Sequence, residues 1–181
     1  MNPNPFTAVL ATSTPPDLGP GPRAGAESLQ PLQTAIDELL RKNPLPSAQA
    51  NAARALFLLW HDHHDPSHAI IQDMATPEAS YVHAILHRRE PDYGNAKYWF
   101  RRVGSHPCHE SLADQAASVL KDPQHAALRL KLLPAGSWDA FAFVDACENA
   151  TRHPGNAKLD QTLRELQAAE FRVLLDSLTG P

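Results

Sequence analysis

The sequence predicts an all-α protein, a single domain of about seven or eight helices packed as antiparallel hairpins. Three observations carry this expectation. From Ser28 onward, apolar residues recur at spacings of three and four. Helix-opening and helix-stopping residues punctuate the chain at short intervals. No stretch shows the strict alternation of a half-buried strand. Short connections between consecutive helices favour antiparallel neighbours.

Residues 1–27 are rich in Pro, Gly, Ser and Thr and have little periodicity. Such a segment has little apolar surface to offset its chain entropy. It is expected to be a flexible arm preceding an all-helical domain at 28–181. The first helix carries Leu29, Leu32, Ile36, Leu39 and Leu40, and "NPLP" at 43–46 stops it. Ser47 is the expected cap of a second helix bearing Ala55, Leu56, Leu59 and Trp60. Asp65-Pro66 reads as an N-cap followed by proline at the first helical position, where a missing N–H costs nothing. That short helix should run to about Met74. Thr76-Pro77-Glu78 repeats the device and opens a helix to about Arg88. Pro91 disfavours helical geometry at Glu90, and Asp92 caps the next helix, which ends at Gly104. "SHPCHESLADQAASVLKD" and "PQHAALRLKLL" supply two further helical pieces. Ser137 is the expected cap of a helix bearing Trp138, Phe141, Val144 and Cys147. The last helix spans about 157–178, with Leu159, Leu163, Leu166, Val173 and Leu174 on one stripe.

The chain has 181 residues and a net charge of −4, with no long Lys/Arg block. It lacks the basic footprint of a nucleic-acid binder. No apolar run reaches the roughly 18 residues that a membrane span requires, and the N-terminus has no basic region of the signal-peptide kind. Cys108 and Cys147 form no C-x-x-C pattern, which favours a reducing compartment. The cytoplasm is the expected location. The chemical anomaly is histidine: ten in all, eight of them between His61 and His109. Imidazole is the commonest metal ligand and titrates near neutrality.

"YVHAILHRREPDYGNAKYWFRRVGSHP" resembles a helix-turn-helix unit of the tetratricopeptide or Sel1-like kind. A second resemblance is to an uncharacterised family of small all-helical proteins. It is carried by "LLWHDHHDPSHAIIQDM" and "HAILHRREPDYGNAKYWFRRVGSHP", and more weakly by "SWDAFAFVDACE" and "LQAAEF". It covers most of 55–175 and implies no activity. The sequence departs from that pattern at His63-His64, where an aromatic is expected at the second position.

Four residues are candidate metal ligands. His83 and His87 are one turn apart on a predicted helix, a spacing at which two imidazoles can share an ion. His61 and Asp62 end the preceding helical run, and His68 in the next first turn is a weaker addition. His63, His64 and Asp65 are accounted for as helix-boundary chemistry. Asp145 and Glu170 fall on apolar stripes, where an acid needs a metal, Arg or His partner. Arg88, Arg89, Arg101 and Arg102 are available as such partners. Asn95 and Arg102 lie beside Trp99 and could bind an anion.

The leading expectation is one polar pocket combining all these groups, with Asn95, Trp99, Arg102, Asp145 and Glu170 binding a small polar ligand and His61, Asp62, His83 and His87 holding a metal, zinc or iron. Catalysis is left open. The alternative is a helical-hairpin module that binds a peptide or protein. No phosphate-binding glycine loop and no G-x-S-x-G elbow is present.

Overall fold

Nine α-helices and no strand make up the regular structure among the described residues, apart from three short 3-10 turns. A computed structural model describes residues 4–180. The helices are α1 (Leu29–Lys42), α2 (Ser47–Trp60), α3 (His64–Ile71), α4 (Pro77–Arg89), α5 (Tyr93–Val103), α6 (Cys108–Val119), α7 (Ala126–Leu132), α8 (Ala140–Arg152) and α9 (Ala157–Thr179). The all-α class predicted from periodicity holds.

Side-chain caps set several starts. Thr76 Oγ1 accepts the Ala79 N–H at 3.2 Å to open α4, and Asp92 Oδ1 accepts the Asn95 N–H at 3.1 Å to open α5. Three expected caps are corrected. Ser47 is the first residue of α2, not its cap. α3 begins at His64, so Asp65 sits in its first turn. α8 is capped by Asp139, which accepts the Ala142 N–H at 2.9 Å, and Trp138 precedes the helix. Each error displaces a boundary by one or two residues, because Ser, Asp and Pro in series offer more than one cap.

Helix α4 is the centre of the molecule. It packs on α2, α3, α5 and α8, and every residue from Ala79 to Arg89 is buried. From α1 to α5 each helix packs on the next, α4 with α5 most extensively, whereas α5 also packs on α8. The last helix breaks the sequential pattern: α9 packs against both α2 and α6. Its apolar side, with Leu163, Leu166, Phe171 and Leu174, closes the core.

Residues 4–27 of the segment read as a flexible arm are instead packed as a strap over the helices. Phe6, Leu10 and Leu18 are buried. Phe6 stacks on Phe57 of α2, with ring centroids 6.4 Å apart. Three apolar anchors over thirteen positions are too sparse to show periodicity. The rest of the attachment is polar. Backbone carbonyls of Pro15, Pro16, Asp17 and Gly19 accept hydrogen bonds from Arg164, Gln167 and Arg89.

Candidate metal centre

Three histidines converge where α3 meets α4. One ring nitrogen from each of His68, His83 and His87 lies within 4.8 Å of the others. His83 and His87 project from the same side of α4 one turn apart, and their rings stack with centroids 4.8 Å apart. His68, in the last turn of α3, meets His83 edge-on at 4.7 Å. Its position depends on how α3 packs against both α2 and α4.

Trp99 of α5 lies against the other face of His83, with centroids 3.8 Å apart and planes 16° from parallel. The Arg102 guanidinium sits 5.2 Å from the Trp99 ring. Asn95 Nδ2 donates to His87 Nε2 at 3.1 Å. That bond places the ring proton on Nδ1, which donates to Glu90 Oε2 at 3.1 Å. A carboxylate behind an imidazole in this way fixes the ring and raises the basicity of the opposite nitrogen. His83 Nδ1 is buried and has no hydrogen-bond partner.

The surroundings of His83 and His87 favour their neutral forms. Burial, reinforced by His87 and His68, pushes His83 down to about 3. Burial likewise lowers His87, against the opposing pull of Glu90 and Asp92. A neutral imidazole offers the lone pair that a metal needs, so protons compete weakly here. Tetrahedral coordination with Zn–N bonds of 2.0–2.1 Å needs nitrogens about 3.4 Å apart. Closing from 4.8 Å requires side-chain rotation, including release of His87 Nε2 from Asn95.

The single-pocket expectation is corrected, because its residues divide among four places. His83, His87, Asn95, Trp99 and Arg102 are together, joined by His68. His61 is elsewhere, with both nitrogens engaged: Nδ1 accepts the Glu27 N–H at 2.9 Å, and Nε2 donates to the Val9 carbonyl at 2.8 Å. It fastens the strap. Asp62 is also structural. Its carboxylate, with a fully buried side chain, takes Arg89 and Arg23 at 2.7 Å each and the Arg23 backbone N–H at 2.8 Å. Neither belongs to the group of converging ligand atoms that the three histidines form.

Glu170 lies within the core and pairs with Arg88, at 2.5 Å from Oε2 and 3.2 Å from Oε1. Tyr81 donates to it at 3.3 Å. Of the partners expected for a buried acid, a metal, Arg or His, it is an Arg that Glu170 meets, and Glu170 is not part of the three-histidine group. Asp145 is at the surface, bonded to Lys97. The buried side of α8 is Ala140, Phe143, Val144 and Cys147, so Phe141 and Asp145 share an outward stripe.

Glu90 was absent from the sequence-based set, and His68 was only a weak addition to it. The i,i+3 spacing of His87 and Glu90 on one helix could have revealed the first. Nothing local could have revealed the second, since it depends on the α3–α4 crossing. No family model, curated protein or solved structure matches this chain.

Proposed function

We propose that this protein binds one divalent first-row transition ion, zinc or iron, through His68, His83 and His87. The observation that carries the reading is the convergence of three buried or half-buried imidazole nitrogens within 4.8 Å. The unpartnered Nδ1 of His83 supports it, because a buried polar atom without a partner is costly. Three protein ligands leave a coordination position for water or a small polar molecule, the arrangement of a catalytic rather than a structural zinc site. Three neutral ligands also leave the ion's charge undiminished, which favours ionisation of bound water near neutral pH. Hydrolytic chemistry is therefore available to the site. Glu90 orients His87 from behind, and Asn95 lies beside the same ring.

The test is elemental analysis of protein purified without a histidine tag, under reducing and chelator-free conditions, and again after reconstitution with zinc or, anaerobically, ferrous iron. One equivalent per chain is expected. The His83→Ala/His87→Ala variant should lose it, and Asp145→Ala should keep it. Failure of the parent protein to take up stoichiometric metal on reconstitution overturns the reading.

A further inference from the structure

The strap is held as a bound peptide would be. Residues 15–19, Pro-Pro-Asp-Leu-Gly, have no regular secondary structure. Five hydrogen bonds reach their carbonyls from side chains of α4 and α9. Arg164 Nη2 donates to Pro15 at 3.0 Å, and Gln167 Nε2 donates to Pro16 and to Asp17 at 3.1 Å each. Arg89 donates through Nε to Asp17 and through Nη2 to Gly19, again at 3.1 Å each. Side chains add selectivity. Pro16 and Leu18 are buried, and Asp17 Oδ1 meets Arg164 Nη2 at 2.8 Å. A Cβ on Gly19 would meet nothing within 4 Å, so the last position accepts a side chain.

The donors are also held from the helical body. Arg89 is fixed by the Leu59 carbonyl at 2.5 Å and by Asp62 at 2.7 Å. Gln167 Oε1 accepts from Arg88 at 3.3 Å, which sets the direction of its amide. Arg89 and Gln167 are both 0% exposed, so their N–H groups are costly to leave without acceptors. A segment that opens on two prolines suits such a row of donors: it brings carbonyls and lacks N–H groups at both positions. Phe6, Leu10 and Leu18 are the strap's few buried apolar anchors besides Pro16. A terminal segment so lightly anchored opens at less cost than the core.

We infer that the face formed by Arg89, Arg164 and Gln167 is a docking site for a proline-rich segment of another polypeptide, of the pattern Pro-Pro-Asp-apolar. The strap occupies that face in cis as a competing ligand. Main-chain bonds supply affinity, and the pockets for Pro16 and Leu18 with the Asp17–Arg164 pair supply specificity. The site shares no residue with the three histidines, so it stands or falls apart from the metal centre.

The probe is a fluorescently labelled synthetic peptide of residues 12–22, followed by anisotropy. In the parent protein the strap competes, and apparent affinity falls with the fraction of molecules whose strap is lifted. Phe6→Ala loosens the strap and keeps all three donors; Leu18→Ala is the milder substitute should that variant not fold. The loosened variant should bind the peptide saturably, one per chain, about tenfold more tightly than the parent. Asp17→Asn in the peptide should weaken binding about fivefold, and Leu18→Ser in the peptide should weaken it further. Arg164→Met in the loosened protein should erase the preference for Asp over Asn. Absence of saturable binding by a loosened, helical variant overturns the inference. So does equal binding of a peptide carrying both substitutions. Exchange of straps between two copies would appear as a parent dimer in light scattering that excludes the peptide, and would overturn the assignment to a separate partner.

Discussion

Adjacent arginines on α4 do opposite jobs. Arg88 turns toward α9 and pairs with Glu170, with Gln167 Oε1 at 3.3 Å. Arg89, about 100° further round, takes the Leu59 carbonyl at the end of α2, the carbonyls of Asp17 and Gly19, and Asp62. Both side chains are fully buried, so losing one partner leaves an uncompensated charge. Glu170→Ala and Asp62→Ala should each cost about 3–5 kcal/mol in urea unfolding. Arg88→Met with Glu170→Leu should cost far less, because the charge leaves with its partner. Asp145→Ala, at an exposed pair, should cost under about 1 kcal/mol. If Asp62→Ala were as mild as Asp145→Ala, the structural role given to Asp62 would be wrong. Asp62 adopts φ 67°, a left-handed conformation that Asp tolerates. Its side chain crowds Gly21 so closely that a Cβ there would fall 2.8 Å from it. Gly21→Ala should therefore weaken the same junction.

The strap and α4 show where periodicity misleads. An amphipathic stripe is a guide only when one side of a helix faces water. α4 is enclosed by four helices, so His83 and His87, which periodicity places at the edge of the apolar side, are buried at 3% and 8% exposure. On α8 the stripe read from Trp138, Phe141 and Asp145 was out of phase, since Phe141 is 37% exposed and Trp138 lies outside the helix. In the strap, Phe6 is 3% exposed against Phe57. Phe6→Ala should cost about 3–5 kcal/mol, measured by the denaturant midpoint. A loose arm would make the substitution neutral. Limited proteolysis should spare residues 4–27 in the parent protein and cleave there in Phe6→Ala.

Acid should unfold this protein gradually. Burial lowers His61, His106 and His109, and takes His64 to about 4 and His83 to about 3. In the unfolded chain each returns to about 6.5. The unfolded state then binds more protons across that window, so stability is complete above about pH 6.5 and declines as pH falls toward 3–4. Urea midpoints should drop steadily from pH 7 to pH 4, and on the proposed metal site saturating zinc should shift part of the decline to lower pH by holding His83 and His87 neutral. A flat pH profile would contradict the buried, neutral state of these rings.

The helical class follows from spacing alone, because an apolar residue every three or four positions can be buried together only on a helix. Most helix boundaries follow from Pro, Thr, Asp and Gly, whose effects on the backbone are local. The acid on the α9 stripe likewise announced its need for a partner, a metal, Arg or His, since the cost of burying a charge does not depend on the fold. Which arginine answered, and which histidines met, depended on longer range. His61 and His68 are seven residues apart in one histidine-rich run. The turn after α2 commits the first to the strap and carries the second to α4. Side chains meet across helices only where crossing geometry brings them, and that geometry is set by the packing of all the helices at once.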